Sequence, residues 1–229
     1  MTLKRALFAE FIGTSLLLAT VVGSGIMGTK LAQGNDAIAL LANAGATSAV
    51  LYVLIVVFGP VSGAHFNPAV TLAMRLRGET GTYEAVGYVI VQVIAAIAGV
   101  FLAHAMFGLD LVQPGTHVRT GVAQWTSEAV ATFGLLLTIL LGVRHRPAAV
   151  PALVAAWIFA AYWFTASTSF ANPAVTLARC LTQTFAGIRP QDVAGFIGAQ
   201  LAGMAVALLA ARMLLDQNGA DGKADKAVA

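Results

Sequence analysis

Two asparagines, Asn67 and Asn172, open verbatim copies of one phrase, Asn-Pro-Ala-Val-Thr-Leu-Ala, at 67–73 and 172–178. The copies stand 172 − 67 = 105 residues apart, close to half of the 229-residue chain. Asparagine at a helix cap offers its side-chain oxygen to the first free N–H groups. Proline at the next position lacks a donor that would have no partner there anyway. Asn67-Pro68-Ala69 and Asn172-Pro173-Ala174 therefore each mark a helix start with a carboxamide at its tip. That carboxamide is an uncharged donor, suited to a neutral solute that has shed its water. Each box leads into a short, mostly apolar half-helix, at 67–76 and 172–183. Ten residues make roughly 15 Å of helix, against a hydrocarbon core of about 30 Å. Two half-helices meeting cap to cap make one composite span, with both asparagines at the midplane and both positive helix ends converging there.

The rest of the chain reads as the scaffold that brings these boxes together. It is 59% hydrophobic and only 10% charged, with a mean hydropathy of +0.83, too little charge to cover a soluble domain of this size. Apolar segments at 7–27, 37–58, 83–107, 122–143, 150–166 and 192–214 predict six membrane spans. The order is span, span, half-helix, span, twice over. Glu10 matches Glu128 in the first span of each half, and Gln92 matches Gln200 in the third. The repeat divides the chain into 1–110, 111–215 and a polar, disordered C-terminal tail at 216–229. Three spans per half insert the second copy upside down, so the half-helices enter from opposite faces. Lys4 and Arg5 before an apolar stretch imitate a signal peptide, but Glu10 interrupts it, so the segment reads as a retained first span.

Orientation follows from lysine and arginine. With both termini cytoplasmic, Lys4, Arg5, Arg75, Arg77, Arg144, Arg146, Arg212, Lys223 and Lys226 lie inside, and Lys30, Arg119, Arg179 and Arg189 outside. The basic residues are scattered singly between apolar runs, which argues for a lipid bilayer and against a nucleic-acid partner. The single cysteine, Cys180, excludes an internal disulfide. Glycines at 87, 99, 134, 195, 198 and 203 fit close helix packing in lipid.

Ser62-Gly63-Ala64-His65-Phe66-Asn67-Pro68-Ala69-Val70, the second Asn-Pro-Ala box, and Ala9-Glu10-Phe11-Ile12-Gly13-Thr14 resemble the major intrinsic protein family, the aquaporins and aquaglyceroporins. The resemblance covers residues 4–215. It implies an all-α membrane protein with six tilted helices and two re-entrant half-helices in an inverted repeat. It also implies a pore in each protomer of a homotetramer and no cofactor or metal. In the family, paired glutamates brace the re-entrant loops, and Glu10 and Glu128 stand at the matching places. His65 and His104 read as satisfied structural histidines, since no second metal-ligating residue stands at helical spacing from either.

The family narrows its pore with four positions. Counted from the boxes, they fall on Thr47, Ala160, Ser169 and Val175. The arginine that commonly follows the second box is absent, because that box continues into Val175. The expected constriction is wide and uncharged, unless nearby bulk (Trp157, Phe170, Trp163 or Phe164) leans in. Arg179 lies one helical turn beyond Val175. Two readings stand for it: positive charge in the outer vestibule, or a side chain that snorkels to the interface. Cys180 reads as a buried small residue, with thiol chemistry toward a trivalent metalloid as the alternative.

These features indicate a passive channel for small neutral solutes: glycerol-type polyols, water, and trivalent metalloid acids such as arsenite, with methylated arsenicals a looser fit. Bacterial members of the family with altered filters resemble arsenite conduits, which implies a bacterial inner (plasma) membrane. A water-selective pore is the alternative within the family. An ion-coupled secondary transporter is the alternative outside it, since inverted repeats and broken helices occur there too. No nucleophile–base pair points to an enzyme.

Overall fold

The computed structural model describes residues 2–215, so the tail at 216–229 lies outside the described residues. In chain order the helices are α1 Leu3–Ala32, α2 Asp36–Ser62, α3 Pro68–Leu76, α4 Thr82–Met106, α5 Val122–His145, α6 Val150–Phe164, α7 Pro173–Arg179 and α8 Val193–Leu215. Short 3-10 turns, Pro147–Ala149 and Pro190–Asp192, lead into α6 and α8. There is no strand among the described residues. All but α3 and α7 are long and apolar enough to cross a bilayer, α6 and α8 together with the turns that precede them.

Three traversals precede the second half, so α5 departs from the face opposite to the one α1 leaves. The half-helix α3 leads back to the face from which α4 starts, and α7 leads to the opposite one. The fold is therefore an inverted repeat with two re-entrant half-helices, as the sequence predicts.

The halves pack alike. α1 lies against α2 and α4, α5 against α8 and α6, and α2 meets α6 between the halves. Glycine sets two of these approaches. A Cβ at Gly99 of α4 would meet the Ser15 carbonyl of α1, and one at Gly203 of α8 would meet the Ala129 carbonyl of α5. Both pairs of backbones close to a distance that only glycine permits. Gly198 faces open space instead, and has no packing role of this kind.

Some boundaries differ from expectation: α1 and α2 run beyond the predicted 7–27 and 37–58, to Leu3–Ala32 and Asp36–Ser62, and the second half-helix is shorter. α7 ends at Arg179, four residues short of the 183 read from the sequence as the end of the half-helix. The carbonyls that would carry the helix onward are taken by other segments. Cys180 O accepts from Gly115 N at 2.9 Å, Leu181 O from Gln113 N at 2.9 Å, and Arg179 O from Ile188 N at 3.2 Å. The 107–121 connection therefore closes over the end of α7 and stops it.

Candidate functional site

Each asparagine works in two directions. Asn67 Oδ1 accepts from Ala69 N at 2.9 Å, and Asn172 Oδ1 from Ala174 N at 3.0 Å and Val175 N at 3.3 Å, which caps the two half-helices. The amide nitrogens then reach across. Asn67 Nδ2 donates to Ala171 O at 2.8 Å, and Asn172 Nδ2 donates to Phe66 O at 2.8 Å. The tips of the half-helices are thus tied by a reciprocal pair of hydrogen bonds. Each carboxamide keeps one N–H beyond that bond.

Those carbonyls are presented by strained backbone. Ala64 and Phe66 have φ of 51° and 48°, and their counterparts 105 residues later, Ser169 and Ala171, have 51° and 49°. Left-handed backbone is costly for residues with a side chain, and most of all for a bulky one such as Phe66. A buried carboxylate holds each loop in place. Glu10 accepts from Ser62 Oγ at 2.7 Å, His65 N at 3.0 Å, Phe66 N at 2.7 Å and Gln92 Nε2 at 2.8 Å. Glu128 accepts from Phe170 N at 2.8 Å, Ala171 N at 2.9 Å and Gln200 Nε2 at 2.6 Å. The two glutamines also donate to Thr71 and Thr176, the threonines inside the boxes. Charge-assisted bonds of this kind are the strong ones, which is how two charges sit fully buried inside an apolar bundle.

Beside the asparagines runs one cavity of about 260 Å³. At the α3 end it is lined by Met74, Glu79, Val143 and Val150, at its middle by Asn67 and Asn172, and at the α7 end by Thr47, Tyr162, Ser169 and Arg179. Much of the wall is apolar, with Leu17, Val21, Leu51, Ile55, Val70, Val154 and Ile158. A conduit with an apolar wall and a few oriented donors and acceptors can pass a solute that has both kinds of surface. The irregular backbone at this depth is tolerated because it faces the cavity.

Of the four filter positions, Thr47, Ser169 and Val175 line this cavity. Ala160 does not: it lies exposed on the outside of α6. The cavity face of α6 carries Val150, Val154, Ile158 and Tyr162, a row at every fourth residue. Tyr162 therefore stands where Ala160 was expected, its hydroxyl 3.4 Å from Thr47 Oγ1. Counting back from Asn172 fails because helix α6 stops at Phe164 and the strained loop intervenes, while the four-residue row was legible all along. Among the bulky neighbours, Phe170 lines the cavity. Trp157 turns away to donate to Ala131 O at 3.0 Å, and Trp163 and Phe164 are exposed.

Arg179 does not snorkel. It is 2% exposed and lines the cavity, with Nε donating to Ala186 O and its guanidinium carbon 3.4 Å from the Phe170 ring centroid. Arg119, which the sequence placed only in a loop, brings a second guanidinium to 5.1 Å from that ring. It donates to Gly187 O at 2.9 Å and Ser167 O at 3.2 Å. The α7 end is consequently electropositive. His117, on the same connection, is held below its ordinary pKa first by burial and then by the charges of Arg119 and Arg179.

The histidines are satisfied. His104 is buried between Leu111 O at 2.8 Å and Thr182 Oγ1 at 2.8 Å, joining α4 to two connecting segments. His65 Nδ1 lies 3.1 Å from Thr71 Oγ1, at the edge of the cavity. Cys180 is only half-buried, which corrects its reading as a buried residue.

The description "Major intrinsic protein" matches residues 1–165. The aquaglyceroporin AqpS of Rhizobium meliloti (strain 1021) is 56% identical over 213 residues, 93% of this chain and 91% of that protein. The probable aquaporin TIP2-2 of Oryza sativa subsp. japonica is 36% identical over 140 residues, 59% of this chain and 55% of that one. The X-ray structure of the aquaglyceroporin from Plasmodium falciparum superposes with a TM-score of 0.72 at 16% identity, over 94% of this chain and 96% of that one, a likeness of fold. Two mirrored asparagine caps tied at the centre of a six-span inverted repeat, and these relatives, have one reading: the chain belongs to the major intrinsic protein family of membrane channels for small solutes.

Proposed function

We propose that this chain is a passive channel for small neutral solutes of glycerol size, with trivalent metalloid acids such as arsenous acid and water among them. The observation that carries the reading is the single cavity that passes both asparagine tips. Its lining divides between the hydroxyls and carboxamides of Thr47, Tyr162, Asn67 and Asn172 and the apolar side chains of the remaining wall. A polyol has the same division, with hydroxyls on one edge and carbon on the other. Arsenous acid, neutral at neutral pH, presents three hydroxyls in a comparable arrangement. Thr47, Ser169 and Val175 act as filter residues on this reading, joined by Tyr162. Glu10 and Glu128 act as braces.

The relatives support the channel class, and the name aquaglyceroporin belongs to the Rhizobium meliloti and Plasmodium falciparum proteins; the solutes are our inference. We further place the protein in a bacterial inner membrane with both termini cytoplasmic, divided at about residue 110 into two functional halves, as a homotetramer. The presence of Tyr162, Phe170 and Arg179 at one end favours a second reading, a narrower water-selective pore. Glu10 and Glu128 are fully engaged by hydrogen bonds, which disfavours the coupled transporter. Purified protein in liposomes separates the first two. Glycerol and arsenous acid permeability well above that of empty liposomes is expected; water permeability alone would leave the second reading.

A further inference from the structure

We propose that the α7 end of the cavity is a binding site for a small monovalent oxyanion, held by Arg179 with Arg119 behind it. An anion seated there closes the pore to neutral solute. The inference rests on the channel reading and adds a mode of regulation to it.

Arg179 is a cation with no counterion in contact: the Glu128 carboxylate acts on it only through space, and acts on Arg119 as well. Arg179 is 2% exposed, and it forms no ion pair among the described residues. Nε is bonded to the neutral Ala186 carbonyl, while Nη1 is buried and has no protein partner. The face of Phe170 attracts a guanidinium through the ring quadrupole but carries no net charge to neutralise it. Arg119 sits against the same ring and adds a second positive charge, its side chain also bonded to carbonyls and not to a carboxylate. The nearby acids are occupied. Asp192 receives Arg189 Nη2 at 2.8 Å and the backbone N–H of Arg119 at 2.8 Å, and Glu128 is filled by its three donors.

An unpaired buried charge is costly, and a guanidinium with a free edge binds an oxyanion through charge-assisted hydrogen bonds. Since Arg179 itself lines the cavity, such an anion occupies the path of the solute. Only a small one fits a conduit lined at that level by Thr47, Tyr162 and Ser169. The pore then alternates between a free form that conducts and an anion-filled form that does not.

The test is glycerol flux into proteoliposomes in sodium nitrate against sodium gluconate, at equal concentration and osmolality. Gluconate is too large for the site. Nitrate is expected to lower glycerol permeability about threefold once it reaches about twice its dissociation constant, because the open fraction falls as 1/(1 + [L]/Kd). The ratio of the two fluxes is read within each variant, so a change in basal rate does not enter it. Arg179→Gln should bring the ratio to one, Arg179→Lys should weaken the inhibition, and Lys30→Gln, at the same membrane face but remote in sequence, should retain it. If Arg179→Gln fails to insert, Arg179→Lys and Arg119→Gln carry the comparison. Equal fluxes of wild type in the two salts would overturn the proposal, leaving Arg179 satisfied by water alone. Inhibition that persists in Arg179→Gln, or vanishes in Lys30→Gln, would overturn it too. A wild type with no glycerol flux in either salt would instead sink the polyol-channel reading on which the proposal rests, and leave the water-selective pore.

Discussion

Val175 and Arg179 lie one turn apart on the cavity side of α7, and on the proposed reading that pair governs what passes. Val175→Arg would add bulk and a third guanidinium, beside Arg179 and Arg119, in a region of low dielectric. Glycerol permeability is expected to fall on the order of tenfold, a barrier increase of about 1.4 kcal/mol, with water falling less; stopped-flow light scattering reads both. Equal losses would mean that Val175 does not sit at the narrowing. Tyr162 makes a complementary case. Tyr162→Ala should raise passage of larger polyols relative to water, whereas Ala160→Phe should leave that ratio alone, since Ala160 faces outward. A shift with Ala160→Phe and none with Tyr162→Ala would restore the counted position. At this scale the sequence is a partial guide. Asn67 and Asn172 announce themselves by repetition, and their caps follow from local chemistry. Tyr162 was readable only from the row Val150, Val154, Ile158, Tyr162, which competes with a count across a loop of unknown shape. Arg179 could be assigned to the Val175 face, but whether it reaches solvent depends on how a distant connection folds over it.

Elements owe their placement to buried charge. The loop before each half-helix adopts left-handed backbone at corresponding residues, and the carboxylate behind it accepts the N–H groups that this conformation presents. Glu128→Gln keeps the shape but turns an amide NH₂ toward donors. One or two of Phe170 N, Ala171 N and Gln200 Nε2 then lose their acceptor. The expected loss is about 2–4 kcal/mol, the cost of leaving one or two buried donors unpaired, measured as a lower melting temperature in detergent together with reduced flux. An unchanged melting temperature would mean that the loop holds itself. The pairing of Glu10 with Glu128 and of Gln92 with Gln200 was visible in the sequence as a second layer of the repeat, because braces must be duplicated when the loops are. The early end of α7 was not visible. It depends on carbonyls of Cys180 and Leu181 being claimed by Gly115 and Gln113, contacts made across more than sixty positions of chain.

At the scale of the whole molecule, the question is whether the protein must move in order to transport. An alternating-access carrier exposes its site to one side at a time, and its flux saturates when the site fills. Here a single cavity is lined by Met74 and Val143 near one end and by Ser169 and Arg179 near the other. The tips at its centre are locked to each other by Asn67 and Asn172. Rocking one half against the other would break those reciprocal bonds and pull both strained loops from their braces. Nor do the buried glutamates offer a proton to couple. Glu10 and Glu128 are buried and spent on hydrogen bonds, and the charge at the α7 end belongs to arginines, which keep their protons. Transport should therefore rise linearly with glycerol up to tens of millimolar, depend weakly on temperature, and ignore an imposed pH gradient. Saturation at low millimolar solute, or accumulation against a gradient when a pH difference is applied, would require a moving part, and the bonds between the two caps would then be the first place to look for it.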